Sequence, residues 1–315
     1  MTGGRRRFGQ WLGVLALPAL ILIIAVATGL AEPRFWSPAN LQNLARQLAP
    51  LLILVTGQLF AVVSRGLDLS IAANMALAGV VGVLALPQAG LGLALVAMVL
   101  TGLGVGLANG LIVVSFSVSP LIVTLGMLSV ARGISLLLTS GLPLYNVPDA
   151  LVDLVGFGTI AGVPVSSLIA FAIMALAAAV LRITVFGRYV YAVGSNPAAA
   201  RNSGVNVRRV TLLVYVVSGA MAGLAAIVMT AWVSAAQPLA GEGLELQSLA
   251  AVVIGGVALA GGSGTMLQAF YGALILGLLS NALNMAGVSS FLQTLAIGVV
   301  ILIAVVVDRL RVSHG

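Results

Sequence analysis

Gly66-Leu67-Asp68-Leu69 lies between apolar runs and carries a carboxylate in a chain that has few. Gly243-Leu244-Glu245-Leu246 repeats it at an offset of 177. A second pair reads the same way. Val118-Ser119-Pro120-Leu121-Ile122-Val123-Thr124-Leu125 is echoed at an offset of 170 by Val288-Ser289-Ser290-Phe291-Leu292-Gln293-Thr294-Leu295. Coincidence in a chain rich in Leu, Val, Gly and Ser is the alternative. In so apolar a chain such an echo points to a duplicated membrane unit, a common plan among transporters.

The 315 residues are 61% hydrophobic and 7% charged, with mean hydropathy +1.21. Long apolar runs of this kind become spanning helices, because lipid cannot satisfy an open backbone. No long polar stretch marks a soluble domain, so residues 1–315 read as one membrane domain. There is no Cys, which excludes disulfides, thiolate nucleophiles and Cys-bound metal. The single His, His314, is in the tail, and no Lys occurs. A phosphate-binding Walker loop needs its Lys, so ATP is not hydrolysed here by that route. No metal site, cofactor or nucleic-acid partner is expected. The net charge of +7 reads as membrane orientation.

The apolar pattern predicts an all-α polytopic membrane protein with about ten spans. They fall near 11–30, 48–64, 70–86, 91–114, 119–139, 165–183, 210–232, 248–262, 266–285 and 289–307. The eighth is short and Gly-rich, and the boundary between third and fourth is thin, so nine or eleven spans also fit. A cytoplasmic N-terminus puts eleven of the 14 Arg inside, two outside (Arg34, Arg46), and Arg132 within the fifth span. Five of the seven acids then fall outside: Glu32, Asp149, Asp153, Glu242 and Glu245. Both termini are thus expected in the cytoplasm. Arg5-Arg6-Arg7-Phe8 resembles the start of a twin-arginine signal. The apolar run after it is longer than a signal core, which favours an uncleaved anchor.

With this topology Asp68 precedes the third span on the inside and Glu245 precedes the eighth on the outside. The two copies therefore point in opposite directions. The expectation is an inverted repeat in which helices two to five match seven to ten, residues 49–139 overlaying 218–304.

Asp68 and Glu245 are expected at span ends, as helix caps or as gating groups; Ser70 is an equal candidate for the cap. No carboxylate is expected at mid-span, which weighs against proton-coupled transport. Arg132 either snorkels to the outer headgroups or lines a vestibule. Asn74, Asn109, Thr124, Asn281, Asn284, Gln293 and Thr294 are uncharged polar groups on spans. They either join helices or line a translocation path for an uncharged, hydroxyl-rich solute. Gly102, Gly106 and Gly110 form a small-residue ladder for close helix packing, and Gly255, Gly256, Gly261, Gly262 and Gly264 crowd the eighth span.

The most structured polar stretch is GRYVYAVGSNPAAARNSGVNVRR, residues 187–209. Asn196 is suited to cap a helix, Pro197 to open it, Ala198, Ala199 and Ala200 to continue it, and Gly204 to stop it. Arg188, Arg201, Arg208 and Arg209 frame it. A helix of about two turns is marginal alone and needs something to dock on. The readings are a coupling helix that inserts into a soluble partner, or a basic loop on anionic lipid.

These stretches resemble the permease of bacterial ABC importers of the ribose-type sugar family. GLDLSIAANMALAG (66–79), the 187–209 segment, GEGLELQSLAAVVIGGVALAGGSGT (241–265) and VSSFLQTLAIGVVILIAVVVD (288–308) match the family's motifs in order. The resemblance implies a non-enzymatic pore subunit in the bacterial inner membrane. It implies a partner ABC ATPase subunit, a periplasmic sugar-binding protein, and a second permease subunit, identical or paralogous. Asn196 to Arg201 and Gly204 would then couple to the ATPase. Residues 233–247, with Glu242 and Glu245, would face the binding protein. Ala72-Ala73-Asn74 and Gln247 depart from the family pattern, which leaves ribose itself in doubt. The Asp-Leu-Ser run, where branched-chain amino acid permeases carry a different one, favours the sugar branch. The alternative is an ATP-independent channel or facilitator for small polar solutes. A membrane enzyme lacks a catalytic pair at depth.

Overall fold

A computed structural model describes residues 3–289, 291–300 and 302, with backbone alone for 3–15. Its long elements are helices: α1 (Gly3–Ala31), α2 (Pro38–Val63), α3 (Ile71–Phe116), α4 (Pro120–Thr139), α6 (Val165–Ile183), α9 (Val207–Val233) and α11 (Met266–Met285). Shorter ones are α5 (Asp149–Leu151), α7 (Val185–Ser195), α8 (Pro197–Asn202), α10 (Leu244–Ile254) and α12 (Phe291–Val300). A two-residue hairpin, β1 (Thr159–Ile160) with β2 (Val163–Pro164), is the one sheet among the described residues.

Six of these helices, α2, α3, α4, α6, α9 and α11, are long and apolar enough to cross a membrane. The 46 residues of α3 would reach about 69 Å if straight, twice a hydrocarbon core of about 30 Å. The helix is broken at Gly90, whose backbone (φ 71°, ψ 175°) leaves the helical region. Gly tolerates that conformation at no steric cost. The break falls where the third expected span gives way to the fourth.

Two elements depart from expectation. Helix α2 begins ten residues before the predicted second span, through Asn40, Gln42, Asn43 and Arg46. Those polar residues are carried by partners: Asn40 by Asn281, and Arg46 by the Phe157 carbonyl at 3.1 Å. The eighth span is helical only over α10, which rises about 16 Å, half a membrane. It ends at Gly255-Gly256, the second with φ 89°. Residues 255–265 then run without helix. Parts of that stretch are held by the end of α2 and the turn after it. The Gly262 amide donates to the Val63 carbonyl at 2.8 Å, and Arg65 Nε donates to the Ala260 carbonyl at 2.7 Å.

The core forms around α2, which is buried almost throughout from Leu48 to Val63. Helix α9 packs on α2 and, most extensively, on the second half of α3. There the expected glycine ladder meets a second one. A side chain on Gly102 or Gly106 would run into the backbone of Gly219 and Gly223 or of Tyr215, and Gly110 faces the backbone of Leu212. The two helices run antiparallel with their backbones in contact, which only small residues permit. The expected tenth span beyond 302, with Asp308, Arg309, Arg311 and His314, lies outside the described residues.

Candidate functional site

The 187–209 segment forms most of α7, all of α8 and the start of α9. In α7, which the sequence did not announce, Val190, Val193 and Gly194 turn inward and Phe186 stacks on Phe60 of α2 at 6.2 Å. In α8 the Asn196 side chain accepts from the amides of Ala198 and Ala199, both at 3.0 Å. Pro197 opens the helix, and Gly204 (φ 84°) leaves it through the left-handed region. Ala198, Ala199, Arg201, Arg208 and Arg209 are exposed, whereas Ala200 is buried. An Ala-rich face framed by guanidinium groups is therefore open to a partner.

The segment is seated on the ends of two core elements. A Cβ on Gly194 would strike the Val63 carbonyl at the end of α2 and the Gly262 amide. The Tyr191 hydroxyl donates to the Gly264 carbonyl at 2.7 Å; burial raises its pKa above the ordinary tyrosine value. Motion of α7 and α8 would thus be felt by α2 and by the non-helical 255–265 stretch at once.

Asp68 is almost wholly buried, 1% exposed. Its Oδ1 accepts from the Ser70 amide (3.0 Å) and hydroxyl (2.6 Å), and its Oδ2 accepts from the Ser218 hydroxyl of α9 at 2.6 Å. Asn109 Nδ2 donates to Ser70 Oγ at 2.8 Å. Thr124 Oγ1 and the Tyr215 hydroxyl both donate to the Leu67 carbonyl at 3.3 Å. Asp68 lies where it is expected, at a span end in the turn between α2 and α3; its burial is the feature that the sequence does not reveal. The turn is folded into the bundle, level with the twelfth of the 27 residues of α9. Ser70 stands at the N-cap position of α3 without a side-chain capping bond.

The polar residues placed on spans divide. Asn74, Asn109, Thr124 and Asn281 are buried within the chain. Asn74 Nδ2 donates to the Gly102 carbonyl at 3.1 Å, and Asn281 and Asn40 exchange amide bonds at 3.0 and 3.2 Å. Gln293 is half-buried and donates to the Val288 carbonyl at 2.8 Å. Asn284 is exposed. Arg132 of α4 is half-buried and pairs with Glu242, in the loop between α9 and α10, at 3.1 Å. The same loop is laced to the one after α4 by reciprocal backbone bonds between Leu144 and Ala236, both 2.9 Å. Glu245 is buried, and its Oε2 accepts from the Gly243 amide at 3.1 Å. Of the two acids expected to face a docking protein, Glu242 is the exposed one. Sequence reading passed over Ser218, Tyr215, Asn40 and Tyr191. Ser218, a hydroxyl beside Gly219 in an apolar helix, was the most visible signal.

The profile of the family described as "Branched-chain amino acid transport system / permease component" matches residues 40–305. The chain is 39% identical over 315 residues to the ribose import permease protein RbsC of Escherichia coli (strain K12), covering 98% of both chains. It is 36% identical over 323 residues to the protein of that name in Bacillus subtilis (strain 168), 98% of this chain and 94% of the other. The D-allose transport system permease protein AlsC of Escherichia coli (strain K12) is 35% identical over 299 residues, 92% and 90%. No solved structure matches the chain.

Proposed function

Because the chain belongs to the branched-chain amino acid transport system / permease component family, we propose that it imports a sugar or sugar-like solute. As a permease it is a transport component of the membrane and not itself an enzyme. Energy then comes from a partner ATPase that closes on the α7–α8 segment, with solute delivered by a binding protein. The observation that carries this reading is the exposed, Arg-framed α8 on a chain whose relatives are named for ribose and D-allose. An amino-acid substrate, which the family's description would suggest, is disfavoured by those names.

Further parts of the reading follow. The passes number ten if α3 counts twice and α1, α10 and α12 each count once. Two stretches share an order that supports an inverted repeat: a long helix (α2, α9), then a carboxylate at the approach to the next helix (Asp68 in the turn before α3, Glu245 in the first turn of α10), then further helices. The Arg distribution supports a cytoplasmic side for α7, α8 and both termini, with Glu242 on the other side. A second permease subunit, identical or paralogous, completes the pore. Arg132 and Gln293 are the candidates for the solute path, whereas Asn284 opens instead onto a polar pocket with Glu32 and Arg34; Asn74, Asn109, Thr124 and Asn281 act as internal ties. Asp68 holds the α2–α3 turn against α9 and so is suited to gating rather than capping.

Affinity purification of the tagged chain from native membranes tests the main reading. Recovery of an ATPase subunit, and uptake in liposomes that requires it, is expected. Recovery of the chain alone, with solute flux in ATP-free liposomes, would establish a facilitator instead.

A further inference from the structure

We propose that a polar pocket at the corner between α1 and α2 holds the headgroup of a phospholipid bearing both a phosphate and a primary ammonium. The pocket has a volume of about 300 Å³ and is lined by Glu32, Arg34, Ser37, Asn40, Asn284 and Met285. It lies at the Pro38 end of α2, while the coupling segment sits at the Val63 end. The two are about 38 Å apart along the helix, so the pocket belongs to the opposite leaflet surface.

Its surroundings are those of a membrane interface. Leu30 is 81% exposed and Trp36 51% exposed beside it, with Leu41 exposed on the first turn of α2. An exposed Trp next to apolar side chains marks headgroup level. Met285 supplies an apolar wall.

The charged groups fit a zwitterion. Arg34 Nε pairs with Glu32 Oε1 at 2.9 Å, and the Arg34 side chain is 82% exposed. Arg34 Nη1 makes no hydrogen bond among the described residues, nor does the Asn284 amide. The pairing lowers the pKa of Glu32 below its ordinary value, so the carboxylate stays charged. An exposed ion pair is held weakly and can accept a second, antiparallel one. The guanidinium takes the phosphate, the carboxylate takes the ammonium, and Asn284 closes the opposite wall. A headgroup with phosphate but no cation meets Glu32 unfavourably. A quaternary ammonium has no N–H to donate to it. Phosphatidylethanolamine satisfies both groups. The inference needs only a membrane-spanning chain and does not depend on what is transported.

The test uses the full chain in detergent, stripped of lipid. It is titrated with phosphatidylethanolamine, phosphatidylglycerol or phosphatidylcholine of identical acyl chains, and bound lipid is counted by native mass spectrometry. At least threefold preference for phosphatidylethanolamine is expected. It should disappear in Glu32→Gln and in Arg34→Gln, with thermal melting confirming that both are folded. Asn284→Leu, which alters no charge, should lower retention too and covers the case in which a charge variant fails to fold. Equal retention of the three lipids, or unchanged preference in the folded variants, overturns the proposal. Soluble phosphoethanolamine binding as tightly as the lipid would make the pocket a solute site and overturn the lipid assignment.

Discussion

The Ser218 hydroxyl of α9 donates at 2.6 Å to Oδ2 of Asp68, in the turn between α2 and α3, and so ties the two halves of the chain together. Among the described residues no cation faces that carboxylate; hydroxyls and one amide alone hold it. Removing one partner of a buried hydrogen bond leaves the other unsatisfied, at about 1–3 kcal/mol. Ser218→Ala should therefore lower thermal stability in detergent, and Asp68→Ala should lower it more, because three donors lose their acceptor. Asp68→Asn keeps an acceptor oxygen and should fall between them. An Asp68→Ala protein that melts with the wild type would refute the role assigned to this tie.

The backbone contact between α3 and α9 makes a prediction with its own control. Gly106→Val inserts a side chain where the backbone of Tyr215 and Gly219 already sits. Overpacking of this kind costs about 1–3 kcal/mol or more, so the yield of folded protein from membranes should drop sharply. Gly104→Val, two residues away on the same helix, faces open space. Its yield and melting temperature should match the wild type. Equal behaviour of the two variants would mean that the glycines are not there for close approach.

The parts legible in sequence are those set by local chemistry. Asn196, Pro197 and Gly204 specify α8 because cap, first turn and stop each need a particular residue type. The ladder Gly102, Gly106, Gly110 announced a close helix contact for the same reason. Its partner, Gly219 with Gly223, was not identifiable, since pairing is a tertiary choice among several Gly-bearing helices. The start of α2 was missed because Asn40 and Arg46 look like loop residues until Asn281 and Phe157 are beside them. Asp68 was read by its place in the chain, which says nothing of how deeply a turn is folded in. The pocket at the corner between α1 and α2 joins residues 32–40 to 284–285, a contact no local pattern reveals.

Exposure separates two neighbouring alanines in the segment proposed to couple to the ATPase. Ala199 is exposed on α8 and Ala200 is buried. Ala199→Glu should leave the chain folded and in the membrane while reducing ATPase-driven uptake at least tenfold. Ala200→Leu should instead lower stability by about 1–3 kcal/mol through overpacking, with uptake lost in proportion to folded protein. Uptake assays normalised to correctly folded protein distinguish the two. Normal uptake by Ala199→Glu would remove α8 from the coupling role.

Arg132 and Glu242 offer a charge-reversal experiment on the opposite end of the molecule. Their 3.1 Å pair fixes the loop between α9 and α10 to α4, beside the Leu144–Ala236 backbone bridge. Because the Glu242 side chain is 58% exposed, the pair is worth about 1 kcal/mol or less, a factor of roughly five at most. Arg132→Glu or Glu242→Arg alone should thus weaken binding-protein-stimulated uptake severalfold without unfolding the chain, and the effect should shrink at high salt. The double reversal separates two roles for Glu242. Restored uptake means that the acid serves to position the loop. Uptake that stays low in the double variant, while the loop regains its wild-type protease resistance, means that one side chain acts beyond the pair: Glu242 on the binding protein if binding-protein affinity falls, Arg132 on the solute path if that affinity is unchanged.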